Sequence, residues 1–234
     1  MTQTPVRENL LQIQERIAGA AARAGRSAEE ITLIAVSKTH PASAIHEAYK
    51  AGVRDFGENR VQEWEGKRAG TEGLAATWHL IGHLQSNKTA RAARLFHSVD
   101  SVDDFAIAER LDRARREAGI AGRLRVLVEV RVAPEETKSG AETHALPDLA
   151  ARIAELSRLH LAGLMCIPPF LEEAERVRPY FRRLKELRGE LTKKLGIALP
   201  VLSMGMSHDF EVAIEEGATE VRVGTALFGA REIK

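Results

Sequence analysis

The sequence predicts an α/β fold in which residues 1–234 form one domain, a single (β/α)8 TIM-type barrel with an additional N-terminal helix. Three observations support this prediction. Short apolar runs rich in Val, Ile and Leu recur eight times along the chain. Segments with helical periodicity separate nearly all of them. The runs mostly lack polar–apolar alternation, which is typical of parallel strands that are buried on both faces.

The first predicted element is the additional helix, because Leu10, Ile13, Ile17 and Ala21 are spaced for one helical face. Eight strand segments follow, of which residues 124–132 are the most strongly apolar. The predicted segments are 31–38, 53–59, 77–84, 95–101, 124–132, 160–167, 200–206 and 220–229, of which 53–59, 77–84, 95–101 and 220–229 include the loop that follows the strand.

Helices are predicted between the strands. Residues 41–52 have proline in the first turn and glycine at the end, and residues 101–104 resemble a capping box for a helix through Arg116. A long apolar stripe runs from Val177 to Leu195, and a short helix is expected at 207–217. A doubly wound open sheet would show similar alternation, but no Gly-x-Gly-x-x-Gly follows the first strand.

The composition excludes several classes of function. A formal net charge of +1 argues against a dedicated nucleic-acid or membrane-surface binder. The N-terminus lacks an apolar signal segment, and no run approaches the length of a membrane span. The single cysteine, Cys166, cannot form an intrachain disulfide and is expected to be a buried, inert thiol. A reducing cytoplasm is therefore the expected compartment.

Lys38 ends the first predicted strand, and barrel proteins carry their working residues at the carboxyl ends of strands. One interpretation is that its side chain extends to solvent with its stem on apolar neighbours. The other is that it supplies an amine nucleophile, which desolvation and cationic neighbours would favour.

The last two strand ends have the composition of a phosphate-binding site. Residues 203–207, Ser-Met-Gly-Met-Ser, lead into a helix, and Gly224-Thr225 follow the eighth strand. Small residues there let backbone N–H groups approach a phosphate. Alternatively, Ser207 caps its own helix and Gly224 only permits a turn. Arg222 is expected to point into the barrel mouth, where it must meet an acceptor or a ligand.

A phosphate site opposite a lysine suggests a phosphorylated aldehyde held as a Schiff base. Pyridoxal 5′-phosphate is the leading candidate, and aldol-type phosphosugar chemistry is the alternative. His79 and His83 are four residues apart, but in a strand they do not share a face as helical zinc ligands do. No metal site is predicted.

Motifs along essentially the whole chain resemble the pyridoxal phosphate homeostasis protein family. They are AVSKTHP, FGENRVQE, WHLIGHLQSNK, HSVDS, ETKSG, GLMCIPP and LSMGMSHDFEVAIEEGATEVRVGTALFGAR. The resemblance implies the alanine-racemase-like barrel, which is fold type III of the pyridoxal phosphate proteins. It implies an internal aldimine and a role in vitamin B6 and amino-acid homeostasis without an established enzymatic reaction. It also implies a monomer, with pyridoxal-phosphate-dependent apo-enzymes as candidate recipients.

The resemblance also implies roles for individual residues. Lys38 corresponds to the Schiff-base lysine, and Arg222 to the arginine that faces the pyridine nitrogen. Lys138 matches a lysine of a secondary or transfer site. The implied phosphate grip and cofactor-side residues are Ser203, Met204, Gly205, Ser207, Gly224 and Thr225, with Asn59 and His79. Arg60 replaces a frequent tyrosine, and Arg131 and Ala133 replace frequent asparagine and serine, which affects the pocket rim.

The implied position of Arg222 favours binding over catalysis. An arginine donor leaves the pyridine nitrogen unprotonated, which weakens the ring as an electron sink. Racemases of this fold use a second base, a tyrosine from an additional β domain of the partner subunit. Tyr49 and Tyr180 are this chain's two tyrosines, and both fall in predicted helices. We therefore expect a binding protein without turnover, with a racemase-like enzyme as the alternative.

Overall fold

Eight parallel strands close into a barrel in the computed structural model, which describes residues 5–133 and 139–229. The strands are neighbours in sequence order, and β8 pairs with β1. Their bounds are β1 Thr32–Val36, β2 Asp55–Glu58, β3 Thr77–Leu80, β4 Ser98–Val102, β5 Leu124–Glu129, β6 Leu159–Met165, β7 Val201–Met206 and β8 Glu220–Val223. The predicted barrel is confirmed.

Helices surround this barrel. They are α1 Pro5–Arg23, α2 Ala42–Ala51, α3 Val61–Arg68, α4 Thr89–Leu95, α5 Phe105–Glu117, α6 Leu146–Ala154, α7 Arg178–Leu195, α8 Phe210–Glu215 and α9 Thr225–Phe228, with short 3-10 turns between some of them. The additional helix α1 packs against α2, α8 and α9, burying the apolar face that includes Leu10, Ile13 and Ile17. Within the described ranges, no helix is long and apolar enough to cross a bilayer.

Alternate residues of the strands face the barrel interior and the helices, as the two-residue period of a strand requires. In β5, Val126 and Val128 belong to the outer core beneath the helices. Leu127, between them, packs instead with Ala162 and Met165 in a separate cluster inside the barrel. Both faces of these strands are therefore buried, which explains why their sequences are nearly continuously apolar.

Polar side chains occupy the floor of the barrel, near the amino ends of several strands. His79 Nδ1 lies 3.0 Å from Asp100 Oδ2, and its Nε2 lies 3.2 Å from Asp55 Oδ1. Arg125 donates to Glu220, the first residue of β8. These groups neutralise one another in a region that is closed to solvent, since His79, Asp100 and Glu220 are all buried.

Within the predicted strand-to-loop unit 77–84, the strand ends at Leu80, and Gly82 in the loop lies directly against the backbone of Asn59. One predicted helix start is wrong. The predicted capping box at 101–104 does not form: Ser101 belongs to β4 and donates to Gly82 O (2.7 Å). Asp104 caps α5 instead, accepting a hydrogen bond from the backbone N–H of Ile107 (2.8 Å).

Candidate functional site

Lys38 lies on a tight turn immediately after β1. The backbone N–H of Ser37 donates to Gly57 O of β2 (3.0 Å), and that of His40 donates to Ser37 O (3.1 Å). Between them, Thr39 has a φ of 67°, which places this residue in the left-handed region. Lys38 itself is half-buried. The turn thus fixes the backbone on both sides of the lysine at the barrel mouth.

The turn after β1 adjoins the segment after β8. A Cβ on Gly224 would lie 3.3 Å from both Cβ and O of Val36, so the two strand ends approach closely. Further along, the His40 ring lies 4.8 Å from that of Phe228, between centroids. The structure therefore brings the predicted lysine beside the predicted glycine loop, although 186 residues separate Lys38 from Gly224 in the sequence.

The loop between β7 and α8 is shaped by Gly205, whose φ is 93°. A Cβ there would lie 2.6 Å from the Cβ of Ala213 and 2.9 Å from the Cα of Phe210, so a side chain would displace α8. Asp209 closes the loop, because its Oδ1 accepts from the backbone N–H of Met206 (2.6 Å). The helix consequently begins at Phe210.

Ser207 connects this loop to the next one. Its Oγ accepts a hydrogen bond from the backbone N–H of Ala226 (3.2 Å) in α9, and the N-cap position of α8 is Asp209. The interpretation of Ser207 as a cap for its own helix is therefore wrong. This hydrogen bond joins Ser207 to the segment that contains the exposed Thr225.

Arg222 is buried in the last strand, with 3% of its surface exposed. Its Nη1 donates to Ser203 Oγ (2.7 Å), and its Nη2 donates to the carbonyl oxygen of Cys166 (2.8 Å). These two bonds fix the guanidinium across β6, β7 and β8. The Ser203 hydroxyl is itself fully buried and serves as a partner for Arg222. Burial also raises the pKa of Cys166 to about 12, as expected for an inert thiol.

Two predicted site residues lie elsewhere. His79 is at the polar floor, 1% exposed, with both ring nitrogens engaged by aspartates, and so it does not join the residues at the mouth. The Met204 side chain packs into the outer core, because its position in β7 points away from the barrel interior. Only the backbone of Met204 remains available to the site. Lys138 lies outside the described residues.

Asn59 stands at the mouth, half-buried, directly after β2. Its carbonyl oxygen would lie 2.4 Å from a Cβ on Gly82, which shows how closely the ends of β2 and β3 are packed. A cavity of about 560 Å³ opens beside it, lined by Arg60, Gln62 and His83 among others. Arg60 is thus on the rim of this cavity.

Sequence reasoning missed an acidic group at the mouth. Glu129 ends β5 and is 4% exposed, and burial together with the nearby charge of Asp103 raises its pKa to about 7, against the opposing effect of Arg222. Glu129 follows Arg125 and Leu127 in the series of alternate residues of β5 that face the barrel interior. The alternation of side chains along a strand could therefore have identified it from the sequence.

A second missed group lies beneath the Lys38 turn. Ser37 Oγ donates to Glu58 Oε1 (2.7 Å), and Lys67 of α3 donates to both carboxylate oxygens of Glu58 (2.9 and 3.1 Å). Burial raises the pKa of Glu58 despite these hydrogen bonds. Nothing in the local sequence signals this cluster, because it depends on the proximity of β1, β2 and α3.

A parallel barrel with a lysine after its first strand and a buried arginine in its last defines an alanine-racemase-type barrel. The family model "Alanine racemase, N-terminal domain" matches residues 9–232. An alanine racemase from Clostridium difficile has the same fold, with a TM-score of 0.70 and 17% identity, over 98% of this chain and 57% of the racemase.

More similar proteins narrow this class to one family. A pyridoxal phosphate homeostasis protein from Aquifex aeolicus is 47% identical over 225 residues, covering 96% of this chain and 98% of the relative. The structure of PipY from Synechococcus elongatus, solved with PLP bound, is 42% identical with a TM-score of 0.82, covering 93% of this chain and 100% of PipY. The chain belongs to the family of pyridoxal phosphate homeostasis proteins.

Proposed function

We propose that this chain binds pyridoxal 5′-phosphate covalently through Lys38 and contributes to intracellular homeostasis of the cofactor, without catalytic turnover. The observation that carries the proposal is the close approach of Gly224 to Val36, which brings the turn bearing Lys38 to a mouth that also contains Ser207 and Arg222. Family membership and the PLP-bound structure of PipY support the choice of cofactor.

The donors at the mouth suit the two ends of such a ligand. The backbone N–H groups of Ser207, Gly224 and Thr225, with the hydroxyls of Ser207 and Thr225, are suited to a phosphate, whereas the N–H groups of Met206 and Ala226 donate within the protein. Arg222 uses two of its five N–H donors within the protein, and the guanidinium can offer others to the pyridine nitrogen. When bound, the cofactor supplies an aldehyde for an amine, and Lys38 supplies that amine.

The positions of the two tyrosines and of Arg222 support the proposal that the protein binds the cofactor without catalytic turnover. Tyr49 and Tyr180 belong to the outer helices α2 and α7, so neither tyrosine stands at a strand end as a second base. The fixed Arg222 does not protonate the pyridine nitrogen as an acid would, which leaves the ring a weak electron sink. A monomeric protein that hands its cofactor to apo-enzymes remains part of the proposal.

A racemase-like reaction is the second candidate, and Glu129 is the observation that favours it. A buried carboxyl group with a pKa of about 7 at the mouth could accept or return a proton near neutral pH. Incubation with D- and L-alanine in deuterated water distinguishes the two functions. Sustained exchange of the α-proton by the wild type, and its loss in Glu129→Gln, would show that the site catalyses a reaction and does not only bind the cofactor.

Borohydride reduction followed by peptide mass mapping tests the proposed attachment. We expect the pyridoxyl label on Lys38 and loss of the visible absorption band in Lys38→Ala. Lys50→Ala is the matched control, because Lys50 is an exposed lysine on α2, outside the site. A label on another lysine, or an unchanged spectrum in Lys38→Ala, would show that the attachment is assigned wrongly.

A further inference from the structure

We propose that Lys67 is a positioning residue, which holds the turn bearing Lys38 in the geometry that the covalent step needs. This inference rests on the proposed function. Lys67 belongs to α3, the third element after Lys38, and the sequence gives no direct sign of their proximity. It contacts the backbone and the side chains around the turn.

The ammonium group of Lys67 directs all of its hydrogen bonds to acceptors near the Lys38 turn. Its Nζ donates to the carbonyl oxygen of Ser37 (2.8 Å), to Glu58 Oε1 and Oε2 (2.9 and 3.1 Å) and to Glu63 Oε1 (2.7 Å). An ammonium has three protons, so these acceptors saturate it. The side chain is 12% exposed, and therefore the group is held in one place.

The contacts of Lys67 reach both neighbours of Lys38. On one side, Lys67 binds Ser37 O directly, while the Ser37 hydroxyl donates to Glu58. On the other side, Glu63 accepts a hydrogen bond from the backbone N–H of Thr39. Lys38 thus lies between Ser37 and Thr39, and the Lys67 ammonium group links both of these residues, directly or through a glutamate, to β2 and α3.

The conformation of Thr39 explains why the turn needs such support. A β-branched residue with a φ of 67° is sterically disfavoured and persists only where surrounding contacts impose it. The hydrogen bond to Glu63 is one such contact, and Lys67 orients that carboxylate. Burial opposes ionisation of Glu63, but the hydrogen bonds from Lys67 and Thr39 outweigh it and lower the pKa of this residue.

The expected consequence concerns the covalent step more than the first encounter with the cofactor. The predicted phosphate contacts come from the loops after β7 and β8, which Lys67 does not touch. In the covalent step the uncharged amine of Lys38 would form a C=N bond to the aldehyde carbon, while the C=O bond breaks and the oxygen leaves as water with the two amine protons. A shift of the Lys38 turn by about 1 Å would misplace this amine and slow the step by about tenfold to 100-fold. The concentration of pyridoxal phosphate that half-saturates the observed rate would remain close to that of the wild type.

Stopped-flow mixing of apoprotein with pyridoxal 5′-phosphate separates these two quantities. We expect Lys67→Met to lower the limiting first-order rate constant about tenfold or more and to leave the half-saturating concentration within about twofold. Lys67→Arg, which retains the cation, should recover part of the rate, and Lys50→Met should match the wild type. A Lys67→Met rate constant equal to the wild-type value would overturn the inference.

A second variant covers the case in which Lys67→Met does not fold. Glu63→Ala removes the anchor of Thr39 at a side chain that is 25% exposed, so it leaves the buried Glu58–Lys67 pair in place. The same selective fall in the rate constant is expected, and its absence would overturn the inference. If the wild-type protein captures no pyridoxal phosphate on Lys38, the proposed function itself fails, independently of any variant at Lys67.

Discussion

The polar floor of the barrel predicts a loss of stability as the pH rises from 6 to 9.5. His79 lies between Asp100 and Asp55, and only 1% of its surface is exposed. Burial alone would lower the pKa of the imidazole, but the charge of Asp100 and the hydrogen bonds that the imidazolium donates to both aspartates raise it to about 9. The cationic imidazolium is therefore the form that the fold stabilises.

The magnitude follows from the difference between the folded and unfolded pKa values. The folded pKa of about 9 compares with 6.5 for an unperturbed histidine, so the native state retains a proton that the unfolded chain releases between these values. Each pKa unit is worth about 1.4 kcal/mol, which gives about 3 kcal/mol in total. This stabilisation is fully present below pH 6.5 and is lost as the pH rises through 9.

Urea denaturation of the wild type and of His79→Gln at pH 6 and pH 9.5 measures this contribution. The wild type should lose about 3 kcal/mol more than the variant across the interval. Parallel losses in the two proteins would refute the assignment of the proton to His79. Because removing the cation leaves Asp100 unpaired, the variant is expected to be less stable at pH 6; an NMR titration of the wild-type imidazole gives its pKa independently.

Three further predictions concern the barrel mouth and one helix cap. Gly205→Ala should reduce the free energy of unfolding by about 2 kcal/mol or more, since its φ is 93° and its Cβ would lie 2.6 Å from that of Ala213; an unchanged thermal midpoint would contradict this. Glu129, with a folded pKa of about 7, stabilises the fold below pH 4.5 and loses this contribution as the pH rises through 7. Glu129→Gln should accordingly flatten the pH dependence of urea stability between pH 4.5 and 7.5, and a slope like that of the wild type would show that another group titrates. Asp104→Ala removes the N-cap of α5 and should cost about 1 kcal/mol by urea denaturation, whereas no loss would mean that water replaces the cap.

Hydrophobic periodicity accounts for most of the agreement between the predicted and observed folds. Residues 124–132 were expected to be the strongest strand, and β5 does occupy Leu124–Glu129 with both faces buried. The point at which each strand gives way to its loop is set by contacts between strands. At β3, for example, the strand ends at Leu80, and Gly82 beyond it packs on the backbone of Asn59.

In the candidate site, too, some residues can be identified from the sequence pattern, whereas others depend on which strands lie next to each other. Lys38 and Arg222 could be found from the sequence, because each lies at the carboxyl end of a strand and such ends converge in a barrel. His79 also faces inward, but whether an inward residue reaches the mouth or the floor depends on the register between strands. The pairing of His79 with Gly57 and Ser98 places its side chain low in the barrel, beside Asp55 and Asp100.

The sequence by itself determined the barrel, the family and the lysine at the first strand end, because these depend on periodicity and on motifs that are contiguous in the chain. Only the tertiary structure revealed that Lys67, Glu58 and Glu63 support the Lys38 turn, and that Ser207 bonds to Ala226 instead of capping its own helix. These interactions join different βα units. Their existence depends on distances that closure of the barrel sets and that no local pattern of residues encodes.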